Sequence, residues 1–237
     1  MSHNSLAQMR VVLKDTTHPG NIGATARAMK TMGLRRLYLV SPRTLIDSQS
    51  RALAAGALDV LADTVVCETL SEALAECAAV FAFTARRRDL SPTFITARDG
   101  GGVAAKNLAA GGEVAFVFGG ERSGLTNEDV QRAGYAVEIP TAAAYFSLNL
   151  SQAVQIAVYE LRQAIAMAPR AAPRNMPTQE QIERLVEHGR EVLAVMQMPK
   201  RGSDDLLLSR LRRLVMRAEP DASEVRMLRG LLKAAQG

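Results

Sequence analysis

The sequence predicts an α/β fold: a parallel sheet flanked by helices on both faces. Short runs rich in Val, Ile and Phe alternate along the chain with segments of helical periodicity. The runs are apolar throughout, as strands buried on both faces must be, and do not alternate polar with apolar. Apolar residues make up 48% of the 237 residues but aromatics only 4%, with no Trp, so a sizeable core has to be built from Ala, Val, Leu, Ile and Met. In such a sheet ligands lie beyond the carboxyl ends of the strands. That directs attention to the loops after Leu13, Phe83, Phe118 and Ile139.

Taken in order, Met9–Leu13 reads as a strand and Pro19–Met32 as a helix stopped by Gly33. Leu37–Val40 is a second strand, Ser50–Leu61 a helix, Thr64–Val66 a short strand and Leu70–Cys77 a helix. Ala79–Phe83 is a strand, Val103–Ala109 a helix and Val114–Phe118 a strongly apolar strand. Asn127–Ala133 is a short helix and Ala136–Ile139 the last strand. A long helix from Ser147 to Met167 carries the stripe Leu150, Ala153, Val154, Ala157, Leu161 and Ala164.

Residues 168–177 hold three prolines and read as a linker, which divides the chain into a first domain, 1–167, and a second, 178–237. Thr178 and Gln181 form a capping-box pattern that opens a helix to Val195. Asp204–Arg217 and Ala222–Ala235 complete a small helical C-terminal extension. The net charge of +5 is confined to the last third: residues 161–237 hold 14 Lys and Arg against 9 Asp and Glu, whereas 1–160 are neutral. A basic appendage on a neutral body suits a polyanionic partner; it is equally a solvated helical tail.

Cys67 and Cys77 lie far from any histidine pair, so no metal-ligand spacing exists and both read as small buried apolar residues. No signal-peptide pattern and no stretch long enough to span a membrane are visible, so a cytoplasmic location without a membrane partner is the expectation. The scarcity of aromatics speaks against a base-stacking platform for single-stranded RNA.

No GxGxxG follows the first strand, no acidic residue ends the second and no Walker-type loop is present, which removes the ordinary dinucleotide and P-loop sites. Three other loops occupy the strand ends. The first is His18-Pro19-Gly20-Asn21-Ile22-Gly23-Ala24-Thr25-Ala26-Arg27, with Pro19 in the first helical turn. The second, Phe118 to Leu125, has glycines at 119, 120 and 124 that remove side chains where a flat ligand could enter. The third runs from Ile139-Pro140 to Phe146-Ser147-Leu148-Asn149-Leu150 and opens the long helix.

In this order and spacing, "HPGNIGATARAMKTMGL", "VFGGERSGLTNED" and "IPTAAAYFSLNLSQAVQIAVYE" resemble motifs one, two and three of the SpoU-type 2′-O-ribose methyltransferases of the SPOUT class, over residues 8–165. The downstream "MPTQEQIERL" and "LRRLVMRAEPDASEVRMLRGLL" are similar to the tRNA-modifying branch of that family and extend the match over nearly the whole chain. The resemblance implies a C-terminal deep trefoil knot, which no physical rule would predict, since knots are rare. It implies a homodimer with pockets near the subunit interface. It implies S-adenosyl-L-methionine (AdoMet) as cofactor and tRNA as partner, with methylation of the ribose of cytidine or uridine 32 in the anticodon loop. Another tRNA or rRNA nucleotide is the alternative within the class; a catalytically silent RNA-binding protein on the same fold is the alternative outside it.

By matched position, Phe83, Thr84, Ala85, Gly119, Gly120, Gly124, Ile139, Phe146, Ser147 and Leu148 would hold the cofactor, and Arg27, Asn21, Glu121, Ser147 and Asn149 would serve catalysis. Arg27 matches the family's catalytic arginine. A guanidinium is almost never neutral, so gripping the adjacent phosphate and stabilising an alkoxide suits it better than acting as a base. Asn21 would bond the ribose or Arg27, or else cap its helix. Glu121 would orient Arg27, within one subunit or across two, or form a local salt bridge. One of Ser147 and Asn149 should cap the long helix and the other face the ligand. Arg86, Arg87 and Arg88 either bind phosphate near the site or form a solvated loop. His18 reads as a turn residue and His188 as solvent-facing.

Overall fold

The computed structural model describes residues 6–86, 92–167, 175–195 and 204–235. A short 3-10 turn, Leu6–Gln8, leads into β1 (Met9–Lys14), and α1 (Pro19–Thr31) follows. Then come β2 (Arg36–Val40), α2 (Ser48–Ala54), α3 (Leu58–Ala62), β3 (Val65–Cys67) and α4 (Leu70–Leu74). The middle of the chain supplies β4 (Cys77–Phe83), β5 (Thr93–Thr96), α5 (Ala97–Ala109), β6 (Glu113–Phe118), α6 (Asn127–Gln131) and β7 (Tyr135–Glu138). Four helices close it: α7 (Leu150–Met167), α8 (Gln179–Val195), α9 (Asp204–Ala218) and α10 (Ala222–Ala235).

The seven strands form one sheet in the order β3-β2-β1-β6-β4-β7-β5, with every pair parallel. The central strands are buried on both faces, as their unbroken apolar runs require. One face packs Val11, Leu13, Phe81, Phe83, Phe116 and Phe118 beneath α1, α5 and α7; the other packs Val12, Tyr38, Val80, Ala82, Ala115 and Val117 with α4 and α6. Phe81 and Phe116 are fully buried with ring centroids 5.4 Å apart, so truncating either to Ala costs about 3–5 kcal/mol. The α7 stripe seals the first face, with Leu150, Val154, Ala157 and Leu161 buried and Ala153 and Ala164 partly so.

Several sequence expectations shift. The helix expected over Ser50–Leu61 is two, α2 and α3, broken where Ala55 turns to φ 48° before Gly56. Cys77 opens β4 instead of ending a helix; it is buried, whereas Cys67 is half-buried, and both thiols are free. Burial pushes the Cys77 thiol up to about 12. The strand β5 and the first half of α5 were not expected. Three consecutive glycines, Gly100–Gly102, argue against a helix there. The fold uses two of them for close approach: a Cβ on Gly101 would stand 2.8 Å from the Glu160 backbone, and one on Gly100 would touch Val137.

The helices α8–α10 enclose a small core of Ile182, Leu185, Val215 and Val225. They dock at the amino-terminal end of β4 and β7. Glu180 N–H donates to Ala75 O, Gln179 Nε2 to Arg132 O at 2.8 Å, and the Tyr135 hydroxyl to Glu219 at 2.7 Å. The Thr178–Gln181 capping box is formed, with bonds of 2.9 and 3.3 Å. Among the described residues no helix is long and apolar enough to cross a membrane.

Candidate active site

At the carboxyl end of β4, β6 and β7 lies an open cavity of about 190 Å³. All ten residues expected at the cofactor line it: Phe83, Thr84 and Ala85 after β4, Gly119, Gly120 and Gly124 after β6, and Ile139, Phe146, Ser147 and Leu148 before α7. Phe118, Val137 and Leu150 supply further apolar wall, and Glu121, Arg86 and Arg122 are its charged residues. Arg122 and Leu125 sit inside the second motif and could have been read from it; Val137 belongs to a strand and gave no signal. Arg87 and Arg88 lie outside the described residues.

The glycines have a different physical reason from the one their spacing suggested. A Cβ on Gly119 would stand 2.1 Å from the Gly124 backbone, and one on Gly120 would stand 2.6 Å from Asp15 O. They let the β6 loop fold back on itself and against β1, before any ligand is considered. In the first motif Gly23 plays the same part, since its Cβ would overlap Ser50 O of α2 at 2.0 Å.

The first and second loops meet at Glu121, and the third joins them through Asn21. Glu121 Oε2 accepts from Thr17 N at 2.9 Å and Thr17 Oγ1 at 2.8 Å; its Oε1 accepts from Asn21 Nδ2 at 2.7 Å and His18 N at 3.3 Å. Burial pushes the carboxyl up, but the bonds from Asn21 and Thr17 outweigh that and hold it below the usual carboxylate range. With four donors on two oxygens, Glu121 is ionised and occupied, which makes it a poor proton acceptor. Within its own chain no bond to Arg27 and no local salt bridge joins it among the described residues.

Asn21 is buried and does not cap α1. His18 does, with Nδ1 accepting from Gly20 N at 3.1 Å. Asn21 instead links onward, its Oδ1 accepting from Asn149 Nδ2 at 3.0 Å. Asn149 settles which residue starts α7, because its Oδ1 accepts from Ser151 N at 2.9 Å. Ser147 is left exposed on the cavity wall. Arg27 is exposed on α1 and does not line the cavity of its own chain. His188 is half-buried, not solvent-facing. Thr17 was not foreseen; it stands before the first motif, and only the fold brings it to a residue 104 positions away.

Comparison with known proteins then identifies the frame. Residues 8–159 match the SpoU rRNA Methylase family, and residues 180–237 match the C-terminal domain of the tRNA methyltransferase TrmJ. The chain belongs to the SpoU methylase family. It is therefore a methyltransferase. It is 42% identical over its whole length, and 93% of the relative's, to the tRNA (cytidine/uridine-2'-O-)-methyltransferase TrmJ of Yersinia pestis (strain Pestoides F). It is 41% identical to the protein of that name from Pectobacterium atrosepticum, with 98% of each chain covered. The crystal structure of TrmJ from Z. mobilis ZM4 superposes with a TM-score of 0.80 at 31% identity, covering 96% of this chain and 99% of that one.

Proposed function

We propose that this SpoU-family protein is an AdoMet-dependent tRNA 2′-O-methyltransferase of the cytoplasm, acting on the ribose of cytidine or uridine 32 in the anticodon loop. The observation that carries the reading is the cavity at the strand ends, flanked by the Glu121–Asn21–Asn149 hydrogen bonds, in a chain matched to that branch of the family along its length. The lining fits AdoMet. Neutral backbone and the apolar surfaces of Phe83, Ile139 and Leu148 suit a flat heterocycle, and Arg86 and Arg122 offer positive charge to the carboxylate of its amino-acid end.

Bound here, AdoMet would supply a methyl group carried on a sulfonium to a ribose oxygen that gives up its proton to solvent. The chain's own residues align that oxygen and favour its loss of the proton. Asn21 and Asn149 offer N–H donors beside the cavity, and Ser147 a hydroxyl on its wall. Arg27 belongs to this site through a homodimer: on the exposed side of α1 it is free to reach a second subunit's cavity, grip the phosphate beside the target and stabilise the alkoxide. A deep trefoil knot is part of this reading, supported by the strand order, in which β6 and β7 each enter between strands laid down earlier. Residues 1–167 form the methyltransferase domain and 178–237 a helical domain whose arginines hold tRNA, joined by 168–177.

Labelled AdoMet, purified protein and unmodified tRNA test the reading, with the methylated nucleotide mapped. Methylation at nucleotide 32 is expected. One structural neighbour, at 25% identity and a TM-score of 0.55, concerns 2-OH methylation of C/U34, so product at 34 would replace the proposed position. No transfer to tRNA would end the reading.

A further inference from the structure

The amides beside Glu121 form a chain whose hydrogen bonds run in one direction only. At one end stands an ionised carboxylate, which accepts and cannot donate, so the Asn21 atom 2.7 Å from it is Nδ2. At the other end stands the Ser151 backbone N–H, which donates and cannot accept, so the Asn149 atom 2.9 Å from it is Oδ1. The Ser151 hydroxyl donates to the same oxygen at 2.7 Å. Both ends thus demand the middle bond that is found, Asn149 Nδ2 to Asn21 Oδ1 at 3.0 Å. Each carboxamide nitrogen carries two hydrogens and spends one in the chain. Asn21 and Asn149 therefore each keep one N–H unspent among the described residues, side by side at the meeting of the first and third loops.

Thr17 anchors the fixed end. It fills Glu121 Oε2 with both its backbone N–H and its hydroxyl, which leaves Oε1 to Asn21 and to the weaker His18 bond. We infer that Thr17 is a positioning residue for methyl transfer: by holding the Glu121 carboxylate in place it fixes where the Asn21–Asn149 chain stands, and with it the two N–H donors that would meet the ribose oxygen. The inference rests on the 2′-O-methyltransferase reading. Two preorganised N–H groups stabilise an oxygen gaining negative charge and accept no proton, so the effect lies on turnover and not on cofactor affinity.

The test uses the full-length protein, tRNA and labelled AdoMet, with AdoMet affinity measured separately by calorimetry. Thr17→Val keeps the shape and removes the hydroxyl. It is expected to lower kcat about tenfold or more, the scale of one lost hydrogen bond to a charged group, while KM and Kd for AdoMet stay within about twofold. Thr17→Ser restores the hydroxyl and is expected to return kcat to within about threefold of the parent. Asn149→Asp, at an exposed position, presents only acceptors to Asn21 Oδ1 and forces that amide over; kcat is expected to fall by at least as much. If Thr17→Val fails to fold, Asn149→Asp and Thr17→Ser carry the decision. The inference is overturned by an Asn149→Asp or Thr17→Val enzyme with parental kcat, by a Thr17→Ser enzyme that folds but stays as slow as Thr17→Val is expected to be, or by losses that fall on AdoMet affinity. A parent protein that methylates no tRNA removes the 2′-O-methyltransferase reading itself and the inference with it, an outcome distinct from an active parent with indifferent variants.

Discussion

At the amino-terminal end of the strands, Arg10 is almost fully buried and reaches Ala73 O at 2.9 Å, Glu76 at 2.7 Å and Glu113, while Arg36 takes the other Glu113 oxygen at 2.9 Å. The tail helices dock beside this network through Tyr135–Glu219 and the Arg132, Arg212 and Glu183 group. Around the cavity at the carboxyl end, Glu121 is held by neutral donors, the walls are largely glycine and apolar beside Arg86 and Arg122, and two amide hydrogens are left over; the ion pairs of Lys14 with Asp15 and Asp129 lie outside its lining. The network at the amino-terminal rim is held by ion pairs but leaves Arg10 Nε buried without a partner among the described residues, and the cavity rim keeps two amide N–H groups. Buried ion pairs are therefore no guide to function here: their charges were desolvated to fix the fold, at a cost only their partners offset. The site is found by the cavity its loops enclose and not by unpaired donors alone, since the buried Arg10 Nε at the opposite rim also lacks an acceptor.

The largest expected effect tests whether the carboxyl-end rim is complete in one chain. Arg27→Lys keeps the charge but loses the planar fork, and the helix face it occupies is exposed, so folding should be unaffected. Turnover should fall about a hundredfold or more, roughly 3 kcal/mol of transition-state stabilisation. Near-parental turnover would leave the site without its guanidinium. Mixing Arg27→Lys subunits with Glu121→Ala subunits is expected to restore activity if the arginine serves its neighbour's cavity, and no recovery would confine it to its own chain.

Next comes the opposite rim. Glu113→Ala leaves Arg10 buried with Glu76 alone, and Glu76 is largely exposed. Stability should drop on the order of 2–3 kcal/mol, read by denaturant unfolding, because one buried charge loses its better partner. Specific activity at a temperature where the variant is folded should match the parent. Unchanged stability with lost turnover would erase the contrast between the rims.

How much of this was legible in the sequence follows from the range of each interaction. Strands β1, β2, β4, β6 and β7 announce themselves because their burial is written in consecutive apolar residues. The strand β5, Thr93–Thr96, has one exposed and three half-buried residues, pairs with β7 and lends only Phe94 and Ile95 to the cores, and α5 begins in spite of its glycines because α7 and β7 press against them. The cavity walls were readable from loop motifs, since all ten residues lie at a strand end or in the loops that follow a strand or lead into α7. The roles of the polar residues were not. Asn21, Glu121 and Asn149 were picked out, but which atom meets which depends on contacts 100 and 128 residues apart, and Thr17 has no local mark at all. The basic tail was legible as charge yet misleading as a count, because Arg212 is spent on Glu183 and Arg190 on Asp205 and Glu187.

Acid acts on stability by a smaller margin. Burial raises the Glu113 carboxyl, but Arg36 and Arg10 together outweigh it and hold it low; Glu183 is held low in the same way by Arg212, against its own burial. A carboxyl whose folded pKa is depressed gives stability that is present above its unfolded pKa and lost as pH falls through the folded one. Folding should hold down to about pH 4, and weaken below it. Glu113→Gln removes one such linkage, so its stability should be lower at neutral pH but fall less steeply in acid. A slope equal to the parent's would mean that Glu113 keeps an ordinary pKa.

The smallest effect belongs to the tail, where the two rims bear on the same substrate. Arg210, Arg213 and Arg217 are exposed on α9, and among the described residues no ion pair engages them. They are among the cations that the ion pairs leave over, and they lie on a helix of the bundle docked at the end of the sheet away from the cavity. If they meet tRNA phosphates, each contact releases condensed counterions, and the slope of log affinity against log salt should flatten by about 0.7–0.9 per arginine removed. Arg213→Gln with Arg217→Gln should therefore cost affinity at low salt and little at high salt, with kcat at saturating tRNA unchanged because no group beside the reacting oxygen is touched. A fall in kcat at saturation would join the two rims into one machine. An unaltered slope with altered dimerisation would give the tail to the subunit interface and leave the carboxyl-end loops to hold the RNA alone.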